Sequence, residues 1–406
     1  MPASLNATPS GERTHIGLFG CRNAGKSSLI NAITGQDLAI VSDFKGTTTD
    51  PVSKAMEILP LGPVLLTDTP GMDDDSDLGQ SRIEKARLVL RSTDIALLVV
   101  DAASGLNDFD RKLLQEIQAR KIPYLVVFNK CDLVPSFTLP EELKDHSMLV
   151  SASAGTRIWE LKERISQALG KEEKKTPLLL DLLEPHALVV LVVPCDESAP
   201  KGRLILPQQQ TIRELLDGNC KAVVVQPQEL PSMIDLLGSK ISLVVTDSQA
   251  FHIVNQMVPP EIRLTSFSIL FARYKGQLAS FIEGALQLKG LKDGDPVLIS
   301  EGCTHHRQCN DIGTVKLPNW IRKFSGAEPE FHYSSGKGFP DDLTSFKLIV
   351  HCGACMLNAQ EVAYRQSAAQ KQKIPMTNYG IAIAYMNGIL PRVLAPFPDL
   401  LEKVKG

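Results

Sequence analysis

Neither sign of charge prevails in this chain of 406 residues: 43 Lys and Arg stand against 46 Asp and Glu, a net charge of −3. Such a balance gives no basic excess to favour nucleic acid or a membrane surface as partner. No apolar run reaches the roughly 20 residues that a bilayer-spanning helix needs. The opening residues, Met1-Pro2-Ala3-Ser4-Leu5-Asn6, lack the basic stretch and apolar core of a secretory leader. A cytoplasmic protein with small-molecule and protein partners is expected. The eight cysteines are too thinly spread for a disulfide scaffold, and a reducing compartment keeps them as thiols. One hydrophobic core is too little for this length, so two or three domains are expected.

What is present is an alternation of strand and helix signals. From 14 to about 170, the apolar runs 16–19, 64–67, 95–100 and 124–129 alternate with amphipathic stretches, the βαβ pattern of a parallel sheet covered on both faces. The charged stretch 170–177 reads as a linker. Alternation resumes over 178–260, with strands at 187–194, 222–225 and 242–246 and helices at 209–216, 231–237 and 249–257. That segment carries no phosphate loop and no catalytic constellation, so it reads as a self-association unit or as a spacer. After Val258-Pro259-Pro260 a long helix is expected over 270–288, and the short strands 297–300 and 346–350 each run into a cysteine motif.

Gly20-Cys21-Arg22-Asn23-Ala24-Gly25-Lys26-Ser27 fits G-x-x-x-x-G-K-[ST], follows a strand and opens a helix at Ser28. Loop N–H groups then face phosphates, Lys26 reaches the β and γ groups, and Ser27 ligates magnesium. Asp68-Thr69-Pro70-Gly71 ends the next strand, putting Asp68 where it holds magnesium through water and the Gly71 N–H where it senses the γ-phosphate. In Asn129-Lys130-Cys131-Asp132 the Asp132 carboxylate can accept from both guanine N–H groups, which selects GTP over ATP; Ser151-Ala152-Ser153 follows where a backbone N–H meets the guanine O6. Between the first two motifs, Gly46-Thr47-Thr48-Thr49-Asp50 occupies the switch position, with Thr48 as the expected magnesium ligand. The acidic run Asp73-Asp74-Asp75-Ser76-Asp77 reads as a solvated loop. Met72 stands where Ras-like GTPases have a glutamine that orients the attacking water, so hydrolysis must be slow or helped by another element. The expected catalytic set is Lys26, Thr48, Asp68 and Gly71.

Near the other end, Cys303-Thr304-His305 and His351-Cys352-Gly353-Ala354-Cys355 stand nearly fifty residues apart. Three thiolates with an adjustable fourth position suit zinc or an iron-sulfur cluster, and spacing alone does not separate the two. Both strands before these motifs could end at one sheet edge, where ligands of open α/β sheets collect. Cys21, Cys131, Cys195 and Cys220 read as packing residues. His15, His146, His186, His252 and His332 stand alone and have no expected role.

Asn23 in the phosphate loop with Gly-Thr-Thr-x-Asp in the switch resembles the tRNA-modification GTPases; by that resemblance a potassium ion, held partly by Asn23, supplies the charge that an arginine finger provides elsewhere. Over its whole length the chain resembles the HydF family of FeFe-hydrogenase maturation GTPases. The resemblance implies an α/β protein of three parts: a GTP-binding domain over 1–172, an α/β dimerisation domain over 177–260, and an α/β cluster-binding domain over 264–406. It further implies a 4Fe-4S cluster on Cys303, Cys352 and Cys355, with His305 and His351 in the same motif. The fourth position stays open among His305, His306, Cys309, Asn310, Asp311 and an exchangeable ligand. A transient diiron subcluster as cargo, and FeFe-hydrogenase and its radical-SAM maturases as partners, complete that picture. Two other readings remain: a GTPase switch with a structural zinc domain acting on RNA or ribosomes, against which the missing basic excess counts, and an iron-sulfur redox enzyme regulated by GTP, against which the missing C-x-x-x-C-x-x-C motif counts.

Overall fold

The computed structural model describes residues 8–35, 51–71, 77–169, 176–195, 204–276, 278–302 and 311–405. They fall into two compact units, Met1–Lys174 and Lys175–Gly406. In the first, strands β1 (Thr14–Phe19), β2 (Val52–Ile58), β3 (Gly62–Asp68), β4 (Ile95–Asp101), β5 (Tyr124–Asn129) and β6 (Ser147–Leu149) form one sheet in the order β2-β3-β1-β4-β5-β6. All neighbours are parallel except β2 with β3. The sequence explains the placement: β4, Ile-Ala-Leu-Leu-Val-Val-Asp, is apolar almost throughout and buried on both faces, as an inner parallel strand must be. β2 alternates exposed and part-buried positions and forms the antiparallel edge. Ile16, Leu18, Leu97 and Val99 point into one core, Phe19, Leu98 and Val100 into the other. The helix Asp108–Ala119 starts at a capping box in which Asn107 accepts from the Asp110 N–H at 2.8 Å and Asp110 accepts from the Asn107 N–H at 3.3 Å.

The second unit holds two four-stranded sheets, each fully parallel. One, ordered β10-β9-β7-β8, is built from β7 (Leu188–Val192), β8 (Lys221–Val225), β9 (Ile241–Thr246) and β10 (Leu264–Ser266). The other, ordered β12-β11-β13-β14, is built from β11 (Pro296–Glu301), β12 (Glu330–Ser335), β13 (Leu348–His351) and β14 (Met376–Asn378). A single cluster of buried apolar side chains runs through both, from Leu178 to Phe397.

Two expectations change here. The domain division at 260–264 leaves β10 on the wrong side, because β10 pairs with β9 from Leu264↔Val244 onward. The long helix expected over 270–288 is two helices, Phe267–Lys275 and Leu278–Leu286, since the backbone at Gly276 is extended (φ −149°, ψ −167°). Glycine loses the most freedom on entering a helix and readily supplies such a break.

Candidate functional site

In the first unit, β1 feeds the phosphate loop and the helix Lys26–Thr34 follows it. Gly25 precedes that helix in the left-handed region (φ 94°), and no side chain caps the helix; N–H groups at such a terminus suit an anion. A Cβ on Gly25 would stand 2.2 Å from Asn129 Nδ2, so the residue must be glycine. Lys26 is buried within the loop, its Nζ donating to the carbonyls of Gly20 at 2.9 Å and Cys21 at 2.8 Å. Asn23 is exposed with φ 63°, and Ser28 is exposed on the first helical turn beside buried Ala24.

Asp68, at the end of β3, accepts a hydrogen bond from the Ser27 hydroxyl. Its other oxygen, Oδ1, is buried without a hydrogen-bond partner among the described residues. Burial raises its pKa above the ordinary carboxylate value, with Ser27, Lys26 and Lys54 opposing. A buried carboxylate oxygen with an unmet need, beside a serine hydroxyl, fits a hydrated magnesium ion. Gly71 presses on the loop so closely that a Cβ there would lie 2.7 Å from the Arg22 Cα. Thr48 with the rest of Gly46-Thr47-Thr48-Thr49-Asp50, and Met72, lie outside the described residues.

Asn129 links the guanine motifs to the phosphate loop: Nδ2 donates to the Ala24 carbonyl at 3.0 Å and Oδ1 accepts from the Ala152 N–H at 3.0 Å. Ser151 is buried and accepts from the Ala154 N–H at 3.1 Å. Lys130 takes a left-handed backbone (φ 63°) and pairs with Asp101 at 2.7 Å, leaving Asp132 exposed in the turn Cys131–Leu133. Burial pushes the Asp101 pKa up, but hydrogen bonds from Lys130 and Ala103 outweigh it and hold the group below its ordinary value. Sequence reasoning passed over Asp101, whose partnership with Lys130 no motif announces.

In the second unit, β11 and β13 are parallel neighbours in register from Val297↔Leu348 to Ser300↔His351. The chain segments leading into both cysteine motifs therefore leave the same edge of one sheet. Cys303, His305, His306, Cys309 and Asn310 lie outside the described residues. Among the described residues no group of three metal-ligating side chains comes together. Cys352 Sγ accepts from the Gly302 N–H at 3.1 Å and the Ala354 N–H at 3.4 Å, and the Cys352 N–H donates to the Ser300 carbonyl at 2.9 Å. Burial pushes the Cys352 thiol up to about 11. Burial likewise raises Cys355, with Lys275 opposing. Thiols kept protonated in this way lose their protons when a metal takes the sulfur. A Cys352 sulfur that already receives two N–H donors, three residues before Cys355, fits a thiolate-bound metal group. Ala354 sits between them at φ 54°, a left-handed conformation that costs a non-glycine residue roughly 1–2 kcal/mol.

His351 is fully buried: Nδ1 donates to the Cys352 carbonyl at 2.8 Å, and Nε2 accepts from Arg365 at 3.0 Å. Burial, and the Arg365 charge after it, hold its pKa down to about 3. Both ring nitrogens are thereby committed, so His351 shapes the turn rather than offering a free metal-binding nitrogen. Arg365, 1 % exposed, also donates to Glu361 at 2.9 Å and to the Gly336 carbonyl at 2.6 Å, and stacks 5.0 Å from the Phe339 ring. Asp311 caps a short turn through Thr314, accepting at 2.9 Å from its N–H and 3.0 Å from its hydroxyl. Burial raises the pKa of Tyr379, whose hydroxyl donates to Glu301 at 3.4 Å; Cys352, Glu301 and Asp311 add to the rise. Arg365, Glu301, Tyr379 and Lys275 were missed because they sit in ordinary helices and strand ends with no local signature.

Three family models match the chain. A 50S ribosome-binding GTPase model covers residues 15–130, a hydrogen maturase F dimerization domain covers 178–276, and a hydrogen maturase F tetramerization domain covers 279–396. Among curated relatives, the tRNA modification GTPase MnmE of Synechococcus sp. (strain JA-2-3B'a(2-13)) is 34% identical over 175 residues, 42% of this chain and 37% of that protein. MnmE of Aquifex aeolicus is 33% identical over 160 residues, 39% of this chain and 35% of that protein. The GTPase Der of Kosmotoga olearia is 32% identical over 191 residues, 43% of each. The chain thus spans less than half the length of these relatives. Of solved structures, a variant of Era from Aquifex aeolicus bound to GDP and aluminium fluoride aligns with a TM-score of 0.35 at 23% identity, over 55% of this chain and 98% of that one.

Proposed function

The chain belongs to the hydrogen maturase F family, and from that premise we propose that it is a GTP-hydrolysing scaffold that holds a 4Fe-4S cluster and assembles and delivers the diiron subcluster of FeFe-hydrogenase. The observation that carries this reading is the parallel pairing of β11 with β13. It leads two motifs nearly fifty residues apart out of one sheet edge, with the Cys352 sulfur already receiving N–H donors from both sides.

At the nucleotide site, Lys26 supplies the ammonium for the phosphates, the N–H groups from Ala24 to Ser28 cradle them, and Asp132 selects guanine. Ser27, Thr48 and Asp68 hold magnesium, which neutralises phosphate charge during hydrolysis. With Met72 unable to position water, Asn23 as a potassium ligand is the proposed source of further charge. At the cysteine edge, Cys303, Cys352 and Cys355 hold the cluster, which supplies an iron-sulfur platform for the diiron cargo. The fourth ligand is open among His305, His306, Cys309, Asn310, Asp311 and an exchangeable group. Self-association through the 178–276 segment is supported by β8, an outermost strand with Val224 45% exposed on it. The hydrogenase and its radical-SAM maturases are the proposed partners.

Full-length protein purified without oxygen and reconstituted with iron and sulfide tests the reading. About four irons per chain, a 4Fe-4S electron paramagnetic resonance signal on reduction, and GTP turnover faster in potassium than in sodium are expected. Zinc in place of iron, with no cluster formed, overturns the scaffold; equal turnover in the two cations removes the potassium role of Asn23.

A further inference from the structure

We propose that Lys275 is a positioning residue for the cysteine edge, through which the segment matched to the dimerization domain sets how firmly the cluster is held. The inference rests on the cluster reading above and extends it to a residue outside the cysteine motifs. Lys275 is the last residue of the helix Phe267–Lys275 and is buried. Its ammonium reaches into the neighbouring segment and donates to three carbonyls of the turn that carries the thiols: Leu357 at 2.7 Å, Ala354 at 3.4 Å and Cys355 at 3.5 Å. The Phe271 ring, one helical turn back, lies 5.6 Å from the same nitrogen.

An ammonium offers three donors and no acceptor, and three carbonyls turned toward one point repel one another unless a cation stands there. Lys275 therefore fixes the path of the chain from Ala354 to Leu357. One of those carbonyls belongs to Ala354, whose left-handed backbone persists only while its surroundings over-determine it. Releasing the ammonium frees the turn to relax, and Cys352 and Cys355 relax with it. Gly276, which follows at once, breaks the helix, so the chain passes directly from this clamp into the segment that matches the tetramerization domain. A change of shape in the 178–276 segment thus has a direct mechanical route to the thiols.

The test uses full-length protein reconstituted without oxygen, comparing wild type, Lys275→Met and Lys275→Arg. Three quantities are read: iron per chain, the electron paramagnetic resonance spectrum of the reduced cluster, and the rate at which a ferrous chelator, bathophenanthroline disulfonate, strips iron. Lys275→Met should release iron about tenfold faster, the factor expected for losing one net charge-assisted hydrogen bond, and should shift the spectrum while GTP turnover stays unchanged. Lys275→Arg, which restores a cation and several donors, should recover most of the wild-type rate. If the Met variant does not fold, Lys275→Gln carries the test with the same readouts and the same direction. Wild type that takes up no iron overturns the cluster reading and this proposal with it. Wild type that holds its cluster, beside a Met or Gln variant with the same spectrum and release rate, overturns the role of Lys275 alone.

Discussion

Replacing Arg365 with methionine should be among the most damaging single changes available in the second unit. The side chain is 1% exposed, and its guanidinium satisfies the Glu361 carboxylate, the Gly336 carbonyl and the His351 ring together. Methionine keeps much of the length but strands a buried carboxylate, and removing one partner of a buried ion pair costs about 3–5 kcal/mol. In a unit of this size each kcal/mol shifts the midpoint by roughly 2–4 °C. A fall of about 6–20 °C is expected in the thermal transition of the second unit, read by calorimetry on metal-free full-length protein, with the GTPase transition unmoved. Pairing the change with Glu361→Leu should recover at least half of the loss, because an apolar pair of similar volume is often as stable as the ion pair it replaces. A loss below about 1 kcal/mol for Arg365→Met would refute the reasoning. So would a double variant no better than the single one, since the cost would then not come from the orphaned carboxylate.

Acid should weaken the metal-free second unit through His351. Its folded pKa of about 3 lies below the ordinary value of 6.5, so the stabilisation is complete above 6.5 and is lost as pH falls toward 3; from pH 7 to 5 this amounts to roughly 2 kcal/mol. Denaturant titrations of wild type and His351→Gln should differ in slope across that window, and parallel curves would exclude His351 as the source. Lys26→Ala should abolish GTP hydrolysis yet leave iron content intact, with Cys352→Ala doing the reverse, as metal analysis and phosphate release will read. Val224→Lys, placing a charge on the outermost strand β8, should shift the full chain toward monomer in sedimentation; an unchanged distribution would locate the interface elsewhere.

The strand, loop and helix around the phosphate loop were legible in the sequence because that motif couples a local backbone shape to a local chemistry. Glycines at 20 and 25, a strand before and a helix after leave little choice about where Lys26 goes. The strands and helices of 178–257 were legible for a similar reason: runs such as Val189 to Val192 can only be buried on both faces. What stayed hidden depends on tertiary company. β12 alternates weakly around Phe331 and Tyr333, and β14 is only Met376–Asn378, so neither declares itself without β11 and β13 beside it. The role of His351 reads from sequence as ligand-like, because only the fold brings Arg365, fourteen residues on, to its second nitrogen.

The parallel pairing of β11 with β13 has a consequence for biogenesis. Parallel neighbours need a long crossover, and the sheet that aligns them is completed only at Met376–Asn378. On the ribosome the GTPase unit emerges and can fold first, domain by domain, while β11 waits for its partner strand β13, which is not yet synthesised. The Cys352 sulfur can therefore meet the Gly302 N–H only once β13 has been synthesised and has paired with β11.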